Sequence, residues 1–124
     1  MTAATRTALT LRVARGQQEQ QAAIDAWLGE RALDGAGKRL GIIAEGAFFA
    51  LEVPPAVPLE RLAAGCVCCV GMLPLQVTLT RMLRSFRPDS VLLLMTEPDH
   101  LDRMRALVAS GKLGVDLENG MEQG

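Results

Sequence analysis

An α/β fold, a mostly parallel β-sheet with helices on both faces, is what this sequence of 124 residues predicts. Three observations carry the prediction. Short apolar strands alternate with helical segments along the chain, the order of strand–helix–strand units rather than of hairpins. The run "DSVLLLMT" (89–96) is almost wholly apolar, as a buried strand must be. Pro74 and Pro98 fall where helices begin, a position that tolerates the missing N–H.

Taken in order, "TALTLRV" (7–13) alternates polar and apolar residues and reads as a strand. The next stretch, "RGQQEQQAAIDAWLGERALDGAGK", is rich in helix formers. They place Ala23, Ile24, Trp27 and Leu28 on one face, and "DGAG" (34–37) stops the helix. "KRLGIIAEG" is a short apolar strand bounded by Gly46, and "AFFALEV" (47–53) reads as another extended piece. "PPAVP" (54–58) excludes a central strand. A strand over 57–63 leads through the cysteines to a helix over 73–86, with Leu75, Leu79, Met82, Leu83 and Phe86 at helical spacing. Pro98 opens a further helix with Leu101, Met104, Leu107 and Val108 inward, ending near Gly111. "KLGVDLE" forms a last strand, and residues 117–124 read as a frayed tail on a single domain.

Composition excludes several classes. Apolar residues make up 49% and charged residues 22%, which suits a globular chain and not a disordered one. Net charge is −1 and the 13 Lys and Arg are scattered, so no nucleic-acid footprint is present. Trp27, Phe48, Phe49 and Phe86 are too few to make a base-stacking platform. The N-terminal stretch lacks the apolar core of a signal peptide, and "VLLLM" is far shorter than the roughly 20 residues a bilayer span needs. The expected location is the cytoplasm, without membrane attachment.

All three cysteines, Cys66, Cys68 and Cys69, lie in "AAGCVCCVGM" (63–72). In a reducing compartment such a cluster reads as metal-binding or catalytic before it reads as a disulfide, and an odd count argues the same way. The segment leads into a helix, whose free N–H groups and dipole favour thiolates. Three thiolates supply three of the four tetrahedral positions around zinc, at about 2.3 Å, and a histidine or carboxylate completes the set. Soft sites of this kind also suit Cu(I) and other transition metals. The competing readings are redox chemistry, with Cys66 pairing to either neighbour, and three small apolar residues in a glycine-flanked turn.

Parallel strands would bring their carboxyl ends to one edge, where open α/β sheets bind ligands. That placement gathers the cysteine segment, "TEPDH" with Glu97, Asp99 and His100, and Glu45 at the end of "LGIIAE". Singly, a histidine in a helix's first turn reads as solvated, and the three carboxylates as surface or capping groups. Only the shared edge makes Glu45 and His100 candidate metal ligands beside Cys66, Cys68 and Cys69.

"GCVCC" between a strand and a helix resembles the GCxCC motif of CobW-like metallochaperone GTPases, a P-loop class. "GKRLGIIAEGAFF" resembles the family's GKR-(apolar)-NEFG segment, and "FRPDSVLLLMTEPDHL" its PD-(apolar strand)-E-T-S/T-G segment. The likeness runs in order over roughly residues 8–110. It implies a P-loop NTPase-like three-layer α/β/α fold, Cys66, Cys68 and Cys69 as metal thiolates, and Glu45 in the place of the family glutamate, with Ala44 replacing the adjacent asparagine.

The departures lie at the nucleotide. Where the family has its Walker A loop this chain has "VARGQQEQQ" (13–21), with Glu19 in place of the phosphate-binding lysine and Gln20 in place of the magnesium-binding hydroxyl. The glycine of the E-T-S/T-G segment and an N-K-x-D motif are missing too. GTP binding and hydrolysis are therefore not expected. The expectation is a shortened relative that binds zinc through its cysteines and passes the ion to an acceptor protein, or shares it within a homodimer. A non-catalytic GTPase-like interaction module and a thiol redox sensor are the alternatives.

Overall fold

The computed structural model describes residues 7–33, 37–46, 50–62 and 73–117. Five strands and three helices follow in order: β1 (Thr7–Val13), α1 (Gly16–Leu33), β2 (Leu40–Glu45), β3 (Leu59–Leu62), α2 (Leu73–Ser85), β4 (Ser90–Met95), α3 (Pro98–Ala109) and β5 (Val115–Leu117). The strands form one sheet in the order β3-β2-β4-β1-β5, and every pairing is parallel.

Each face of the sheet carries its own core. Ile42, Ala44, Leu92 and Leu94 pack against Ile24 and Trp27 of α1. Leu9, Leu11, Ile43, Leu93 and Met95 point the other way, toward Leu75, Leu79 and Met82 of α2 and Met104 and Val108 of α3. β4 lies third of five strands, so all six of its residues are buried, which explains its unbroken apolar sequence. α2 comes close to β2 at Gly41, where an added Cβ would lie 2.6 Å from the Met82 Sδ.

Two sequence expectations need correcting. Of the stretch 47–53, residues 50–53 form no strand. β2, the strand it follows, is already paired on both sides, by β3 and β4, so the segment cannot pair back onto it. Its backbone instead bonds the side chains of α1: Gln17 Nε2 donates to the Ala50 carbonyl, and Gln21 exchanges two bonds with the backbone of Glu52. Leu51 is buried against that helix. At the other end, Leu117 belongs to β5 and pairs with Leu9, so it is part of the sheet rather than of a tail. The expected tail beyond it, the cysteines of 63–72 and most of the "DGAG" stop lie outside the described residues.

The topology creates one privileged place. β1 and β4 are neighbours, yet the chain leaves β1 for α1 on one face and β4 for α3 on the other. Connections that part to opposite faces open a crevice at the carboxyl ends of the strands between them.

Candidate functional site

The carboxyl edge is built from the residues that follow β1, end β2 and follow β4. β2 pairs with β4 only as far as Ala44 and Leu94, and beyond that point side chains take over from the backbone ladder. Glu45, the last residue of β2, is fully buried. Its Oε1 accepts from the Thr96 N–H at 2.8 Å and the Thr96 hydroxyl at 3.1 Å, in place of a ladder carbonyl. The same oxygen lies 3.0 Å from Nδ1 of His100. Its other oxygen, Oε2, is buried and has no hydrogen-bond partner among the described residues.

His100 stands in the first turn of α3 and is 5% exposed, contrary to the solvated histidine that its isolated position suggested. The reason is its helical spacing: His100, Met104 and Val108 are the buried stripe of α3. An N–H on Nδ1 would donate across this 3.0 Å contact, and in a singly protonated ring it would leave the lone pair on Nε2. Glu97 and Asp99 do not join this pair. Both are exposed, and Glu97 binds the exposed Arg15 at 3.3 Å.

Only two residues, Ala14 and Arg15, separate β1 from α1. Gly16 begins the helix with φ of 81°, a backbone conformation that favours glycine. The Glu19 carboxylate accepts the Arg15 N–H at 2.8 Å, so an acidic group already occupies this helix start. Gln20 is fully buried, and its amide nitrogen donates to the carbonyls of Ala14 (3.1 Å) and Glu45 (2.9 Å). Motif reading passes over Thr96 and marks Gln20 only as a departure from the Walker A pattern, without this role. The available signal was register: Gln20, Ile24, Trp27 and Arg31 are the buried stripe of α1, with polar residues at both ends.

The cysteines of the sequence motif lie outside the described residues, but the chain's departure toward them does not. β3 ends at Leu62, the register partner of Glu45, and the Gly46 N–H donates to the Leu62 carbonyl at 2.7 Å. Cys66 follows four residues later, a reach of at most about 14 Å of extended chain. Among the described residues no group of three or more His, Cys, Asp or Glu forms a metal cluster. No helix among them is long and apolar enough to cross a membrane. Comparison with protein-family models, with curated proteins and with solved structures finds no match for this chain.

Proposed function

We propose that this chain is a metal-binding protein that captures zinc, or another soft or borderline transition metal, through Cys66, Cys68 and Cys69. In this reading His100 supplies the fourth ligand through Nε2. Glu45 acts behind it, fixing the ring through Nδ1 as carboxylates commonly do for metal-bound histidines. The observation that supports the reading most is the buried Glu45–His100 contact of 3.0 Å at the strand edge from which β3 departs toward the cysteines.

The reading keeps the proposed kinship to CobW-like metallochaperones without their nucleotide chemistry. Its motivation is the two-residue turn after β1 and the Glu19 carboxylate at the start of α1, where a phosphate would need free N–H groups. Capture requires deprotonated thiols and releases protons, and ligand exchange hands the ion to an acceptor protein. A reducing cytoplasm keeps such thiols available.

Zinc competition against a chromophoric chelator tests the proposal on the reduced full chain, beside Cys66→Ser and His100→Asn. The expected result is one ion per chain, held more tightly than by the chelator, with Cys66→Ser losing most of the affinity. A native chain that cannot compete with the chelator overturns it.

A further inference from the structure

We infer that Gln20 is a positioning residue for the Glu45–His100 pair, and that its carboxamide keeps the neutral His100 ring in the Nδ1–H form with Nε2 bare. The use of that bare nitrogen for ion capture rests on the metal-binding reading above; the positioning itself does not.

The carbonyls of Ala14 and Glu45 stand at the ends of β1 and β2, the two strands flanking β4. Gln20 lies over β4 from α1 and bonds both carbonyls with one nitrogen. Two facing acceptors fix the orientation of the amide, because the reversed group would set oxygen against oxygen. Its Oε1 then points away and is left without a partner among the described residues. A buried amide that leaves one of its own atoms unsatisfied is an expensive way to fasten two strand ends. Its effect is to hold the main chain of Glu45, whose carboxylate in turn holds Thr96 and His100. The chain is therefore continuous: Gln20 fixes the Glu45 backbone, Glu45 aims its Oε1, and that oxygen selects the proton-bearing nitrogen of His100. An imidazole free in water prefers the opposite form, with the proton on Nε2.

His100 is the only histidine in the sequence, so its ring nitrogens give one unambiguous set of signals. Long-range proton–nitrogen correlation spectra of the reduced, metal-free full chain are recorded over a rising pH series, and a ring that keeps protons on both nitrogens throughout overturns the inference. The expected native result is a predominant Nδ1–H ring, together with slow solvent exchange of both Gln20 carboxamide protons. Gln20→Met removes the donors at similar length and flexibility, and the expected result is a shift of the ring population toward Nε2–H. Gln21→Met, which disturbs only the bonds to Glu52 and Asp25, should leave the ring unchanged. A native Nε2–H ring, fast exchange of the Gln20 amide, or a folded Gln20→Met chain with the native ring population each overturns the inference. Should Gln20→Met not fold, the two native-chain measurements still decide it. No metal is added, so a failed zinc titration leaves this test standing, and failure here leaves thiolate binding to be judged separately.

Discussion

At the amino edge of the sheet, the hydrogen bonds that join α2 to the strand starts are exposed or half-buried; at the carboxyl edge, a cluster of Glu45, Gln20 and His100 is buried among exposed neighbours. Asp89 accepts the Arg39 N–H at 2.7 Å, and the Arg39 guanidinium donates to the Phe86 carbonyl while lying 4.3 Å from that residue's ring centroid. The Thr7 hydroxyl donates to Pro88. These bonds tie α2 and the strand starts together at exposed or half-buried positions. Across the sheet, Glu45 and Gln20 are fully buried, and Glu45 Oε2 and Gln20 Oε1 lack partners among the described residues. Unsatisfied buried polar atoms cost stability, and α1 carries another at Trp27 Nε1, away from the carboxyl edge. What sets the carboxyl edge apart is that its buried groups converge: Thr96 and His100 both meet Glu45 Oε1, and Gln20 bonds the Glu45 carbonyl.

The largest break in this contrast is Glu45→Leu. It strips the acceptor from the Thr96 N–H, the Thr96 hydroxyl and His100, and should cost about 3 kcal/mol or more in urea unfolding. Next comes Glu45→Gln, which keeps one acceptor oxygen but removes the charge behind His100. Zinc affinity should fall about 10- to 100-fold by competition titration, with the fold retained by circular dichroism. At the amino edge, Asp89→Ala removes one side-chain acceptor and should lower stability by about 1 kcal/mol without changing zinc affinity. The smallest effect belongs to Glu97→Ala. Its pair with Arg15 is more than half exposed on both sides, so stability from thermal unfolding should move by less than about 0.5 kcal/mol.

Much of the architecture was legible because hydrophobic pattern dictates it. β4 announced itself by five consecutive apolar residues, 91–95, and the helix stripes of Leu75, Leu79 and Met82 and of Met104 and Val108 by their spacing. The stretch 50–53 misled because apolar content does not say what the backbone will bond; here the α1 glutamines supplied the bonds in place of a strand. At the site, Glu45 and His100 could be gathered by topology alone, since parallel strands put their following residues on one edge. The burial of His100 could not be read from a single histidine. Gln20 was hidden for a related reason: within "GQQEQQ" one glutamine is buried while most of its neighbours are solvated, and only helical phase separates them.

Zinc-edge X-ray absorption on the reduced, zinc-loaded chain tests the central claim most directly, because it counts sulfur and nitrogen neighbours around the ion. The expected first shell is about three sulfurs near 2.3 Å and one nitrogen near 2.0 Å, with the nitrogen replaced by oxygen in His100→Asn. A first shell of oxygen and nitrogen without sulfur, or zinc that is lost on dialysis, would contradict it.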